Sequence, residues 1–281
     1  MKFNFPDNLY CDVRIEDNKQ AWYQMQDEEV LGNGEACIKG AKIRIFDGKL
    51  WYTAETNDID NIQEKIDELA KLASPNPKIL ENPIVKNFNV NKASILKFQG
   101  KNNLRNLTKE DREGIVKNYR KKCIDKAIEE IKVTHANFWY TSTIKELYTS
   151  KGTEIIQDYQ RCSMGMWFQI AGKDNVTYGG GEQLWAFDFT GLKGREDEII
   201  EKRDRALDFA KNNIAVEPGE YVCVLSPSVT SVFTHESFGH KSEADFMLND
   251  KTMRDEWTMG KQVANPKVSI VDEGDSLHHG Y

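Results

Sequence analysis

Two histidines and a glutamate, His235, Glu236 and His240, lie close together near the carboxyl end of this 281-residue sequence. Neutral imidazole is a good zinc ligand, and a carboxylate beside the metal can take a proton from water and pass it to a leaving amine. The pattern therefore indicates metal-assisted hydrolysis, with the histidines as ligands and Glu236 as the general base. Two histidines on a helix are also often polar packing residues, and that alternative stays open at this point.

The spacing of the two histidines is unusual for a metal site on a helix. Residues five positions apart lie about 140° apart around a regular α-helix, which is poor for chelation of one ion. A single π-type turn would bring both imidazoles to one face, and such turns are frequent at functional sites. Gly239 lies where a distorted backbone could be tolerated. The sequence therefore predicts a helix irregularity between His235 and His240.

Two acidic residues, Glu243 and Asp245, follow the second histidine. Either one could serve as a further ligand or accept a hydrogen bond from an imidazole N–H. Both could equally be solvated surface acids. No other cofactor-binding motif stands out, because the glycine triplet at 179–181 lacks the rest of a phosphate-binding loop and is interpreted as a flexible turn.

The helix that carries these residues is predicted to begin at Ser226, a good N-cap that is followed by Pro227 at the first helical position. A short apolar strand, Tyr221 to Leu225, is predicted just before it. Cys223 on that strand is interpreted as a buried core thiol. Residues 216–281 are therefore expected to form a further domain.

Residues 1–75 are predicted to form a small antiparallel sheet with one covering helix. Cys11 to Glu16 alternates apolar and polar residues and is predicted to be a strand, and Ala21 to Gln26 is a second candidate strand. Asp47-Gly48 between two apolar runs is a strong hairpin signal. Residues 58–73 then place apolar side chains at helical spacings of three and four. Residues 76–107 are rich in proline and asparagine and are interpreted as a connection.

Residues 108–215 are predicted to form a central domain of helices and strands. A helix starts at Thr108 and runs to about Ile131, strand-rich sequence follows to Phe189, and a second helix spans Glu196 to Asn213. The expected fold class is α+β, with antiparallel sheets and covering helices.

Composition excludes several classes of protein. The formal net charge of −7 argues against nucleic acid as a partner, because phosphate binding needs a surplus of cations. The five cysteines form no CxxC pair, which argues against a disulfide framework or a cysteine-based zinc site. The sequence shows no signal peptide and no apolar run long enough for a bilayer, so a cytoplasmic protein without membrane contact is expected.

Residues 232–245 resemble the H-E-x-x-G-H-x-x-E-x-D pattern of the TldD/PmbA family, once described as modulators of DNA gyrase and now regarded as metallopeptidases. Residues 260–264 and 268–274 fit further family segments in the right order, and residues 40–54 resemble the family's N-terminal hairpin. Because the His-Glu motif is intact, the chain resembles the TldD side of the family more than the PmbA side.

The resemblance implies zinc bound by His235 and His240, with Glu236 as the general base. It implies a peptide substrate that is unstructured, and a dimer that is either a homodimer or a heterodimer with a PmbA-like subunit.

The resemblance further implies that residues 216–281 are the start of a β-rich C-terminal metallopeptidase domain that carries the metal-binding helix. It implies a third ligand, a cysteine, from a part beyond Tyr281, so a fragment or a shortened homologue is expected. His278 and His279 are weaker alternatives for that third ligand. A catalytically incomplete partner subunit is the second functional hypothesis.

Overall fold

The computed structural model describes residues 2–124, 128–173 and 176–272. The chain divides into two compact units, a first unit of residues 1–213 and a second unit of residues 214–281. The predicted domain boundaries at residues 75, 107 and 215 remain a proposal. No helix among the described residues combines the length and the apolar character that crossing a bilayer requires.

A seven-stranded, mainly antiparallel sheet forms the centre of the first unit. Its strands are β1 (Tyr10–Gln26), β2 (Glu29–Phe46), β3 (Trp51–Thr56), β4 (Lys92–Ile95), β5 (Ile131–Thr149), β6 (Glu154–Ala171) and β7 (Thr177–Ala186). The strand order is β3-β2-β1-β5-β6-β4, and β7 pairs with the other half of the β6 edge. The short β4 is the one parallel neighbour of β6 among these pairings.

The strand β1 joins the early and late parts of the first unit into one sheet. It pairs with β2 on one side and with β5 on the other, from Asp12 to Gln26 on both sides. The two short strands predicted at 11–16 and 21–26 are therefore a single strand of 17 residues. Pairing along both edges keeps the backbone extended through the polar stretch between them, where the sequence alone shows no strand signal.

The predicted hairpin between β2 and β3 is confirmed, with Phe46 paired to Trp51. One carboxylate oxygen of Asp47 accepts hydrogen bonds from the backbone N–H groups of Lys49 and Leu50, each at 2.8 Å. Gly48 has φ of 100°, a conformation that disfavours residues with a Cβ. The Asp-Gly pair thus forms the tight reversal that its sequence predicts.

Helices lie in both units, and those of the first unit cover its sheet. They are α1 (Ile62–Ala70), α2 (Pro83–Lys86), α3 (Lys109–Cys123), α4 (Glu196–Asn212), α5 (Pro227–Thr234), α6 (Ala244–Asn249) and α7 (Lys251–Glu256). Thr108 and Asp111 form a reciprocal capping box at the start of α3, as predicted. The α3 helix ends at Cys123 rather than near Ile131, because Ile131 already pairs with Ile170 in the sheet.

Two clusters of buried apolar side chains hold the first unit together. The larger one lies beneath α3 and α4 and includes Tyr23, Phe138 and Phe168 from three neighbouring strands. The smaller one lies beneath α1, whose buried residues Ile62, Ile66 and Leu69 follow the predicted helical spacing. The predicted α+β class with antiparallel strands and covering helices is confirmed.

The described part of the second unit, residues 214–272, contains helical turns and loops and no strand. The strand predicted at Tyr221–Leu225 is therefore wrong for this structure, and the apolar run at 268–271 forms no strand either. An apolar run becomes a strand only when a neighbouring strand takes up its backbone hydrogen bonds, and no such neighbour lies beside these residues in the described part of the chain.

Candidate metal centre

The helix α5 begins as its sequence predicts. Ser226 has an extended backbone, and its hydroxyl accepts a hydrogen bond from the backbone N–H of Val229 at 3.4 Å. Pro227 follows at the first helical position, where its missing N–H costs no hydrogen bond. The position and direction of the helix start are thus determined by residues next to one another in the sequence.

A π-helical turn, His235–Gly239, follows α5 directly. The backbone N–H of His240 donates to the carbonyl of His235, which is the i to i+5 pattern of a π turn. The two imidazole rings consequently lie against each other, with centroids 4.6 Å apart and planes at 70°. The irregularity predicted between the two histidines is confirmed.

The expected role of Gly239 is not supported by its geometry. Its φ and ψ are −56° and −58°, within the ordinary right-handed helical region that any residue adopts. A Cβ at this position would lie 3.6 Å from Nδ1 of His235, an ordinary contact distance. The backbone at Gly239 is therefore not distorted, and the π turn does not use the tolerance that the sequence offered at this position.

The side chains of His235, Glu236 and His240 form a compact cluster, called the triad below. One ligand atom from each residue lies within 4.8 Å of the other two, and all three side chains are exposed. Oε2 of Glu236 lies 3.7 Å from Nε2 of His240. Two imidazole nitrogens and a carboxylate oxygen are donors that zinc accepts, so the residues present fit this ion.

Glu243 lies beside the triad and contacts one of its histidines. Its Oε1 is 2.6 Å from Nδ1 of His240. Because an ionised carboxylate only accepts, Nδ1 carries the hydrogen in this pair and donates it. The other ring nitrogen of His240, Nε2, lies on the side of Glu236. A carboxylate on one ring nitrogen commonly orients metal-binding imidazoles.

Asp245 lies outside this arrangement. It stands in the first turn of α6 and is exposed. No hydrogen bond or ion pair connects it to the triad in the part of the chain that the structure describes. Glu243 and Asp245, which the sequence did not distinguish, therefore differ in the structure. A contribution of either residue to a metal site remains a prediction.

The residues that support the π turn were missed by sequence reasoning. The hydroxyl of Ser237 donates to the carbonyl of Phe233 at 2.7 Å, and that of Ser242 donates to the carbonyl of Phe238 at 2.9 Å. The indole N–H of Trp257 donates to the Ser242 hydroxyl at 3.0 Å, which connects the end of α7 to this turn. Serines four residues after a helical carbonyl are a recognisable signal for such bonds, whereas the contact with Trp257 has no local signature.

No cysteine joins the triad within the described residues. Cys223 is exposed rather than buried, because the predicted strand around it does not form. In the first unit, burial raises the pKa of the thiols of Cys11 and Cys162 to about 12, so neither supplies a thiolate near neutral pH. His278 and His279 lie outside the described residues.

Two family models match this chain. Residues 11–74 match the PmbA/TldA metallopeptidase domain 1, and residues 218–281 match the PmbA/TldA metallopeptidase C-terminal domain. The second match contains the π turn and the triad, and the first contains the hairpin of β2 and β3.

Curated relatives extend the similarity over nearly the whole sequence. A metalloprotease of Methanocaldococcus jannaschii is 26% identical over 272 residues, which are 94% of this chain and 58% of the relative. A metalloprotease of Synechocystis is 22% identical, over 94% of this chain and 56% of the relative. A protein named zinc metalloprotease TldD homolog, from Saccharolobus solfataricus, is 28% identical over 46% of this chain and 28% of its own length. The chain thus spans a little over half the length of the first two relatives.

Solved structures share the fold. A putative modulator of DNA gyrase from Thermotoga maritima aligns with 75% of this chain and 46% of its own, at a TM-score of 0.58 and 10% identity. A second such protein, from Bacteroides thetaiotaomicron, aligns with 70% of this chain and 45% of its own, at a TM-score of 0.54 and 13% identity.

Proposed function

Because this chain belongs to the TldD/PmbA family, we propose that it forms part of a zinc-dependent peptidase that hydrolyses unstructured peptides. The observation that supports this proposal is the π turn, which brings ligand atoms of His235, Glu236 and His240 within 4.8 Å of one another. The name of the relative from Saccharolobus solfataricus supports zinc as the ion. The donor atoms of the triad are of the types that zinc accepts.

Each residue of the triad has a distinct role in this proposal. His235 and His240 hold the ion through ring nitrogens, and zinc, when bound, polarises a carbonyl and lowers the pKa of a water molecule. Glu236 accepts the proton of the attacking water and transfers it to the leaving amine. Its carboxylate suits this task, because it lies 3.7 Å from Nε2 of His240 and is exposed to solvent and substrate.

Glu243 positions one ligand of the proposed site. Its hydrogen bond from Nδ1 of His240 fixes the tautomer and the ring orientation of that histidine. The negative charge of Glu243 also makes the imidazole a stronger donor to a cation. Asp245, without a contact to the triad, is assigned no part in the chemistry.

The preference for unstructured peptides follows from the access that the reaction requires to the scissile peptide bond. A scissile peptide bond must reach the metal and the Glu236 carboxylate together, and the backbone of a folded substrate is held in its own hydrogen bonds. The peptide substrate, the cytoplasmic location and a homodimer or a heterodimer with a PmbA-like subunit all remain proposals, supported by the family resemblance.

A second candidate function is a catalytically incomplete partner subunit of a TldD/PmbA-type complex. Catalytic zinc sites usually have three protein ligands and one open position for water. In the described ranges the triad offers two imidazoles and the carboxylate assigned to proton transfer. If no third ligand completes the site, the chain keeps the fold and the subunit contacts without the reaction.

Substitution of Glu236 by glutamine distinguishes these two functions. The glutamine fills the same space but cannot accept a proton, so we expect zinc to be retained and peptide hydrolysis to fall by about 10²- to 10⁴-fold. Zinc is measured by elemental analysis and turnover with an unstructured peptide. Glu220→Gln is the matched control, because Glu220 is an exposed glutamate of the same unit outside the triad.

The outcomes separate the mechanism from the function. Hydrolysis at the unchanged rate in Glu236→Gln removes this residue from the mechanism. A wild-type protein that holds no zinc and cleaves no peptide favours the partner subunit instead.

A further inference from the structure

A cleft of about 500 Å³ opens on the first unit, between the start of α3 and residues 33–35 of β2. It is remote in sequence from the triad and belongs to a different unit. Four of its lining residues are cations and one is an acid: Lys19, Arg105, Lys109 and Arg112 against Glu35. A concave surface with three net positive charges (four minus one) concentrates anions, in contrast to the chain as a whole at −7.

Arg112 is the buried cation of this cleft, with 3% of its surface exposed. Its guanidinium donates to the carbonyl of Leu107 at 3.3 Å and to Oδ1 of Asn33 at 3.2 Å. Its Nε–H is shielded from solvent and has no acceptor. A buried guanidinium with an unpaired donor is destabilising, because the donor has lost its hydrogen bond to water and has gained no acceptor in the protein.

Asn33, which also lines the cleft, has a second unpaired donor. Its Nδ2 is also shielded from solvent and without an acceptor. Exchange of the amide oxygen and nitrogen does not remove the problem, because the nitrogen would then face the N–H groups of Arg112. The contact with Arg112 therefore determines the amide orientation and leaves Nδ2 as a donor.

The charge of Arg112 is poorly balanced by the protein itself. Oε2 of Glu35 lies 3.8 Å from its NH1, but this carboxylate is half exposed and also lies 3.4 Å from Nζ of Lys19. Arg105 is occupied by its own pair with Asp17 at 2.8 Å. Lys109 forms no ion pair within the described ranges, and it stands in the first turn of α3, where the helix adds partial positive charge.

We propose that this cleft is a binding site for a small oxyanion, a carboxylate or a phosphate group. The oxygens of such an anion accept from the guanidinium of Arg112 and the side-chain amide of Asn33, which both line the cleft and turn their unpaired donors toward the anion when it binds. Lys109 at the rim attracts the anion and contributes a weaker, solvent-exposed contact. The site requires neither the metal centre nor the proposed peptidase activity.

Titration calorimetry of the whole chain with inorganic phosphate and, separately, with acetate tests this site. We expect saturable binding of at least one of them. Binding of phosphate alone identifies a phosphate-bearing ligand, and binding of acetate alone identifies a carboxylate such as an acidic peptide side chain. Both results support the site, whereas no binding of either anion overturns it and leaves the donors to buried water.

Substitutions in the cleft distinguish this site from general attraction to a basic surface. Asn33→Asp places a carboxylate beside Arg112 and removes the Nδ2 donor, so the affinity should fall by about ten-fold or more. Lys109→Gln removes only an exposed charge and should weaken binding by about two- to five-fold. An Asn33→Asp variant that binds as tightly as the wild type overturns the proposal.

Arg120 supplies a matched control for Arg112. It lies on the same helix and is also buried, and its guanidinium donates to Thr134 and Glu28 rather than into the cleft. Arg112→Met should abolish anion binding, while Arg120→Met should retain it. Because either buried substitution can impair folding, the circular dichroism spectrum and melting temperature of each variant are recorded. If either arginine variant unfolds, the Asn33→Asp and Lys109→Gln variants still decide the test.

Discussion

The first and second units of this chain differ in what maintains their structure. The first unit contains two clusters of buried side chains beneath its helices, with Phe138 among the fully buried residues. In the described part of the second unit no residue is buried, and Val222 and Val224 are almost completely exposed. Hydrophobic burial therefore stabilises the sheet, whereas it contributes little within residues 214–272.

The metal centre lies in the second unit, whose described residues include none that is buried, so its geometry rests on local contacts. Ser226 caps α5, the π turn brings the histidines together, and Glu243 orients His240. These contacts join residues close in sequence, apart from the one between Trp257 and Ser242. The difference between the units predicts that substitutions at the triad alter metal binding and leave the sheet intact, while core substitutions of the sheet act on stability.

The largest expected effect is the loss of zinc from His235→Ala or His240→Ala. Each substitution removes one of two imidazole ligands, so zinc retention should be abolished, as measured by elemental analysis of the purified protein. The unfolding of the first unit, which holds five of the six tryptophans and so dominates the fluorescence, should be unchanged. His135→Ala in β5 is the control that should keep zinc, and stoichiometric zinc in a triad variant would sink the assignment.

A second expectation contrasts two phenylalanines. Phe138→Ala in β5 empties a fully buried site and should destabilise the first unit by about 3–5 kcal/mol. Phe233→Ala in α5 removes an exposed ring and should change the stability by less than about 0.5 kcal/mol. Urea unfolding followed by fluorescence and circular dichroism compares them. Similar losses in both variants would show that Phe233 is buried in the folded protein and would break the distinction between the units.

Glu243→Gln should have a smaller effect on the metal than the loss of a histidine. The glutamine can still accept from Nδ1 of His240, but without the negative charge that favours a cation on the other nitrogen. We expect the affinity for zinc to fall by about 10- to 100-fold, measured by competition with a chelator. Asp245→Asn, which changes an acid without a contact to the triad, should leave the affinity unchanged. Equal effects of both substitutions would remove the special role of Glu243.

The smallest effect is expected for Gly239→Ala. The backbone dihedrals are helical and the added Cβ would lie 3.6 Å from Nδ1 of His235, so the methyl group fits. Zinc retention should be unchanged, and the helical conformation should gain about 0.5–1 kcal/mol from the loss of glycine flexibility in the unfolded chain. Helicity by circular dichroism and zinc content by elemental analysis measure both quantities. A variant without zinc would show that the π turn needs glycine after all.

The features that sequence reasoning predicted correctly depend on residues near one another in the chain. The five-residue spacing of His235 and His240 predicted the π turn, and Ser226 with Pro227 predicted the start of α5. The Asp47-Gly48 pair predicted the hairpin, and Thr108 with its acid three positions later predicted a capping box. In each case the hydrogen bonds close within about five residues, so the pattern contains both partners.

What the sequence by itself determined is therefore the set of local devices: the caps, the hairpin and the turn that brings two imidazoles together. Only the tertiary structure decided that β1 continues from Tyr10 to Gln26, that Tyr221–Leu225 forms no strand, and that Arg112 meets Asn33 across 79 residues. These outcomes depend on whether a distant segment supplies the hydrogen-bond partner. An apolar run or a buried arginine specifies the need for a partner, but the fold determines which residue meets it.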